Sequence, residues 1–280
     1  MARQPDAQRT PRVSGGRLIR AAERRPDRGV GSMSMCGRYA SSKDPAVLVE
    51  EFGVTEPPAH TIAPDFNVAP TKHVYAVLQR TRDERPERLL ADVVWGLVPS
   101  WAKDRSIGHK LVNARVETAA EKPSFRRAWA KRRALLPADG YYEWHASQPA
   151  TRGDTGSSAR PRKQPYFIHR ADGRTLAMAG LYELWRDPDA DPDDPAAWLW
   201  TATILTTTAT DALGQIHDRM PIDVAPEAWA DWLDPGFGGD PRALLDPAAT
   251  AAALVAYPVS TAVNSVRNNG PHLLDPLPAQ

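Results

Sequence analysis

The chain predicts an α+β domain built on a barrel-like mixed β-sheet core with short peripheral helices. Two features point there. Short apolar and β-branched runs follow one another at close intervals, while segments with helical spacing are few and brief. A hydrophobic content of 42% over 280 residues provides for a substantial core.

Taken in order, AVLVEEF (46–52) has the spacing of a short helix and HVYAVLQR (73–80) alternates as a strand does. LLADVVWGLVP (89–99) reads as a buried strand. SFRRAWAKRRALLPA (124–138) mixes apolar and basic positions at helical spacing ahead of Pro137. DGYYEW, PYFIHR, TLAMAGLYELW and LWTATILTTTA read as successive strands, and APEAWADWL (225–233) and PRALLD (241–246) as short helices. Residues 145–164, rich in Gly, Ser, Arg and Pro, and 186–197, acidic and Pro-rich, read as surface insertions. The expected organisation is a disordered Arg-rich extension over 1–34, a domain over 35–270 and a C-terminal tail over 271–280.

Composition excludes several classes. One cysteine rules out an internal disulfide framework, and no Cys/His cluster has structural zinc spacing, so neither metal nor cofactor is expected. No apolar stretch approaches the roughly 20 residues that span a bilayer, so a cytoplasmic protein with no membrane partner is expected. The formal charge of +1 conceals eight arginines within residues 1–34; the remainder is net acidic, so a nucleic-acid partner requires a local basic groove. Nothing signals oligomerisation, and a monomer is expected. The chain carries no Gly-rich phosphate loop, HExxH or GxSxG.

A lone cysteine is ordinarily a small buried hydrophobe. Cys36, however, directly follows Met35 in MCGRYA. Were Met35 the initiator and removed, Cys36 would present an amine of pKa about 8 and a thiol of pKa about 8.5 on adjacent carbons. Such a 1,2-aminothiol condenses with an aldehyde: the amine forms a Schiff base and the thiolate closes a five-membered thiazolidine. An amide-linked cysteine cannot react this way. The reaction needs a proton shuttle and a donor to polarise the carbonyl. Glu143, among the aromatics of DGYYEW, and His217, in QIHDRMP, are candidates, although an ion-paired strand Glu and a structural His are the commoner occupants of such places. For DNA, residues 95–117 interleave Trp95 and Trp101 with Lys103, Arg105, His109, Lys110 and Arg115, which suits base stacking with phosphate contact. The basic run Arg126, Arg127, Lys131, Arg132 and Arg133 extends that surface or is simply a solvated face.

Several separated segments, MCGRYA, FNVAPT, VVWGLVPSWAKD, LVNARVETAAEKPSFRRAWAKRRALLPADGYYEW, QPYFIHR, MAGLYELW, IHDRMP and VSTAVNSVRN, together resemble the SOS-response-associated peptidase (SRAP) family from Met35 to about Asn268. The resemblance implies a single SRAP-type domain that senses abasic sites in single-stranded DNA and forms a thiazolidine crosslink, shielding the lesion at replication forks, in association with the nucleoid and with replication-fork proteins. It assigns Cys36 as nucleophile, Asn113 as the residue orienting cysteine and sugar, Glu143 as proton shuttle and His217 as the aid to Schiff-base chemistry and reversal. Arg38, Trp101, Arg115 and Thr206 match DNA-contacting positions. It also implies β-elimination lyase activity and autocatalytic removal of residues ahead of the cysteine.

The sequence departs from the family where 34 residues precede Met35. Translation beginning at Met35, removal of the extension, and a copy unable to crosslink all stay open. Two other classes compete: a thiol hydrolase or peptidase with Cys36, His217 and Glu143, and a non-catalytic single-strand binder.

Overall fold

The computed structural model describes residues 37–146, 163–191 and 193–278. The extension expected over 1–34, Cys36 and most of the first expected insertion lie outside them. In chain order the strands are β1 (Tyr39–Ser41), β2 (Asp65–Val68), β3 (His73–Arg82), β4 (Arg85–Trp95), β5 (Asn113–Arg115), β6 (Arg133–Ala138), β7 (Gly140–Ala146), β8 (Lys163–Arg170), β9 (Leu176–Arg186), β10 (Trp198–Thr208), β11 (Arg219–Pro221) and β12 (Leu254–Pro258). Short helices lie between them: α1 (Pro45–Glu51), α2 (Val116–Ala119), α3 (Arg126–Lys131), α4 (Asp211–Ile216), α5 (Trp229–Leu233) and α6 (Pro247–Ala253). No helix among the described residues is long and apolar enough to cross a membrane.

Five strands close into a barrel, as the sequence predicts. β3 pairs antiparallel with β4 and β6, β6 with β9 and β9 with β10, and β10 returns parallel to β4. Closure leaves no open edge around the ring. The other sheet is antiparallel, in the order β12-β8-β7-β1-β2. Alternation along the strands builds two cores. Val74, Ala76, Val93, Leu136 and Met178 pack with Tyr39, Tyr141 and Ile168 of the second sheet. Tyr75, Val77, Leu135 and Leu181 pack beneath Leu48 of α1, Phe52 at its C-terminal cap, Trp129 of α3 and Trp232 of α5. Each such fully buried aliphatic or aromatic side chain contributes about 1.5–3 kcal/mol of transfer free energy.

Two expectations are corrected. The segment 124–138 is not one helix: α3 stops at Lys131, and Arg133–Ala138 is a strand buried at every position. The buried Arg133 ends the helix by donating to the carbonyls of Trp129 (3.0 Å) and Ala130 (3.2 Å) and, across the core, to that of Trp232 (2.6 Å). The tail begins later than Pro271, because Leu273 is fully buried with Val259 and Val263 and the Leu277 N–H donates to the Pro258 carbonyl at 2.9 Å. The β3–β4 hairpin turns through Asp83 and Glu84, both left-handed (φ 49° and 61°), where Asn-Gly would be the usual signal.

Candidate active site

β1 pairs with β7, Tyr39 opposite Tyr141 and Ala40 opposite Gly140, and the Tyr142 N–H donates to the Arg38 carbonyl at 2.9 Å. Gly140 is required there, since a β-carbon would run into the Ile168 carbonyl and the Phe167 ring. The Tyr142–Arg38 bond brings Arg38 alongside Tyr142, the neighbour of Glu143. Glu143 is buried, and its Oε2 lies 4.0 Å from Nε2 of the half-buried His217. His217 caps α4, its N–H closing the last turn on the Leu213 carbonyl, and its Nδ1 accepts the Arg219 backbone N–H at 3.1 Å. That bond occupies the Nδ1 lone pair, and Nε2 is the nitrogen facing Glu143.

Arg219 is buried behind this pair. Its Nη1 and Nη2 donate to Glu117 Oε1 (2.8 Å) and Oε2 (2.9 Å), and Nη2 donates to the Thr206 carbonyl at 2.6 Å. Partial burial pushes the Glu117 carboxyl up, but hydrogen bonds and charge from Arg219 outweigh it and hold the group below the ordinary carboxylate value. The short strand β5 lies parallel to β10 with Asn113 opposite Ile204 and Arg115 opposite Thr206. Its alternation projects the half-buried Asn113 and the exposed Arg115 from one face.

Arg38 is anchored from across the sequence. Its Nη1 donates to Asn67 Oδ1 (2.7 Å) and to the Val263 carbonyl (2.9 Å), and its guanidinium sits over the Trp144 ring at 5.8 Å. Fully buried Asn67 also donates to the carbonyls of Val263, Ser265 and Asn268, while Trp144 Nε1 donates to Asn264 Oδ1 at 2.7 Å. The segment around 263–268 is thereby fixed as a wall beside β1 and β7.

The structure thus brings Glu143 and His217 together, sets Asn113 and Arg115 on one strand face, and leaves Trp101 60% exposed, free to stack. Two expected DNA contacts are corrected. Trp95 is fully buried, edge-on to Tyr39 at 5.0 Å with its Nε1 donating to the Val112 carbonyl, so it is a core residue. The Thr206 side chain is likewise inaccessible, lying beneath Arg219. In the basic run, Arg133 is structural and Arg132 pairs with Glu183, leaving Arg126, Arg127 and Lys131 exposed. Sequence reasoning overlooked Asn67, Glu117, Trp144 and Arg219. Each lies inside FNVAPT, NARVET, YYEW or HDRMP, yet only tertiary contacts reveal its role. Among the described residues no cluster of three or more His, Cys, Asp or Glu side chains is placed to hold a metal.

Residues 35–266 match the model of the family described as SOS response associated peptidase (SRAP). The chain belongs to the SRAP family. Among its relatives are the abasic site processing protein YoqW of Bacillus subtilis, 37% identical over 86% of this chain and 99% of that one, and YedK of Escherichia coli, 34% identical over 87% and 100%. The chicken protein HMCES, also named an abasic site processing protein, is 34% identical over 76% of this chain and 66% of its own length. Two solved structures share the SRAP fold seen here. A Bacteroides thetaiotaomicron protein superposes with a TM-score of 0.69 at 24% identity, covering 86% of this chain and 100% of its own. A Bordetella bronchiseptica protein does so with a TM-score of 0.60 at 28% identity, covering 80% and 100%.

Proposed function

We propose that this protein processes abasic sites in single-stranded DNA by covalent capture through Cys36, exposed as the first residue of the chain. The observation that carries the reading is the approach of His217 to within 4.0 Å of Glu143 on β7, the strand that pairs with β1 just after Cys36. The names of the relatives support abasic DNA as the substrate.

In the reaction the Cys36 amine adds to the aldehyde carbon C1′ of the ring-opened sugar, and the carbinolamine loses its hydroxyl as water, leaving an imine. The thiolate then adds to that carbon, forming the C–S bond, and the former imine nitrogen takes up a proton. The thiazolidine product contains protein and DNA less one water. Glu143, in its buried position, serves proton transfer at the sugar and carbinolamine oxygens, and the His217 Nε2–H serves as a donor at the same centre. Asn113 orients the sugar, Arg38 and Arg115 hold flanking phosphates and Trp101 stacks on a base. The intermediate imine acidifies the C2′ proton, so slow β-elimination accompanies capture.

Denaturing intact mass before and after incubation with a single-stranded oligonucleotide carrying one abasic site tests this. A chain beginning at Cys36 and shifted by the oligonucleotide mass less one water is expected. A trimmed chain that gains no mass overturns covalent capture; hydrolysis of a peptide by protein with an amide-linked Cys36 would assign thiol hydrolase chemistry instead.

A further inference from the structure

Two neighbours make opposite demands on His217 Nδ1. The Arg219 backbone N–H donates to it at 3.1 Å and requires a lone pair there, while the charge of the Asp218 carboxylate, also 3.1 Å away but outside hydrogen-bonding geometry, favours a proton. A neutral imidazole satisfies only one of them. Satisfying Arg219 leaves the proton on Nε2, facing Glu143; satisfying Asp218 turns a bare Nε2 toward Glu143 and removes the donor from the reaction centre. These groups face the ring: Glu143 from β7, Asp218 on its own segment and the Arg219 amide.

What separates the two demands is how firmly each partner is fixed. Asp218 has a side chain 82% exposed, where water screens its pull. Arg219 lies in β11, paired opposite Thr208, and its buried guanidinium is gripped at both ends by Glu117 and by the Thr206 carbonyl. Planar two-point pairing of this kind fixes orientation as well as distance. Glu117 comes from α2, two residues beyond Arg115, so it ties the β5–α2 side of the site to the segment that carries His217.

We infer that Glu117 is a positioning residue: by clamping Arg219 it holds that residue's N–H on His217 Nδ1 and so sets the imidazole proton on Nε2. The catalytic consequence rests on the proposed function; the tautomer is a property of the free protein and is measured without DNA.

The experiment is nitrogen-15 NMR of the His217 ring in histidine-labelled protein at pH about 8, where an ordinary imidazole is neutral. In the wild type, Nδ1 is expected to give the unprotonated and Nε2 the protonated signature. Glu117→Ala is expected to shift the population at least several-fold toward protonated Nδ1, and adding Asp218→Ala to restore the original pattern. Glu117→Gln, which keeps one acceptor for Arg219, should retain most of it. Crosslinking to abasic DNA should slow about 10-fold in Glu117→Ala and recover with the added Asp218→Ala. An ion pair serving stability alone would lower the Tm of Glu117→Ala and leave the ring signals unmoved, and that result overturns the inference. Should Glu117→Ala not fold, Glu117→Asp, too short to meet both guanidinium nitrogens, is read the same way. Absence of crosslinking in every protein, wild type included, would defeat the proposed function while the ring signals still decide the role of Glu117.

Discussion

The barrel and the sheet beside it treat buried charge differently. In the barrel, Arg133 and Glu183 are both buried along strands, and each is enclosed by partners: Arg133 by the carbonyls of Trp129, Ala130 and Trp232, Glu183 by the Arg132 guanidinium. In the second sheet, Glu143 is equally buried but stands at 4.0 Å from a half-exposed histidine, at the rim where β1 begins. A charge closed in by fixed carbonyls stabilises the fold and exchanges nothing. One placed opposite a titratable neighbour at an accessible rim is disposed to pass a proton. Burial alone therefore does not distinguish the two kinds of carboxylate; what faces each one does.

That contrast predicts that changes in the barrel cost stability and spare the rate, with the reverse in the second sheet. The largest effect is expected from Arg133→Ala, which leaves buried carbonyls unsatisfied and opens a cavity: about 3–5 kcal/mol lost in urea denaturation, with an unchanged crosslinking rate per folded molecule. A slowed rate in the folded fraction would break the comparison. Next, Glu143→Gln should slow crosslinking by about 10²–10³-fold with little change in Tm, measured by single-turnover gel assays. Asn67→Ala should fall between the classes, costing about 2–3 kcal/mol and loosening Arg38, so that stability and DNA affinity drop together. Replacing Arg115 by Ala should reduce the slope of log K against log salt by about 0.7, the loss of one single-strand phosphate contact.

The smallest effect concerns acid. Since the folded Glu117 carboxyl is held below its ordinary value of 4.5, its pairing with Arg219 stabilises fully above that value and is lost as pH falls through the lower, folded value. Wild type and Glu117→Gln should therefore converge in Tm on acidification. Curves that stay parallel would show that Arg219 does not need the charge.

Much of the barrel is legible because strands buried on one or both faces announce themselves as alternating or continuous apolar runs. β6 escapes because Arg132 and Arg133 prolong the basic helical pattern into it, and only the core carbonyls explain Arg133. The β3–β4 turn escapes because Asp83 and Glu84 adopt a left-handed backbone without the usual glycine. Trp95 and Trp101 stand six residues apart in one interleaved segment, yet one is buried and the other exposed. Their difference arises where β4 ends and the chain passes Gly96, whose backbone touches that of Gly108 so closely that a β-carbon on either would meet the other's carbonyl oxygen at 2.6–2.7 Å. Local pattern does not encode that contact. The same holds for the bonds from Arg38 to Asn67 and Val263, made between motifs that the sequence places far apart.

The Arg38–Val263 bond spans 225 residues and completes the wall beside the first strand. On a ribosome adding about 5–20 residues per second, those partners are made roughly 10 to 45 s apart. The beginning of the domain therefore waits, through most of its own synthesis, for the segment that anchors Arg38. Until that segment emerges, Arg38 at the start of the domain lacks the carbonyl that fixes its guanidinium.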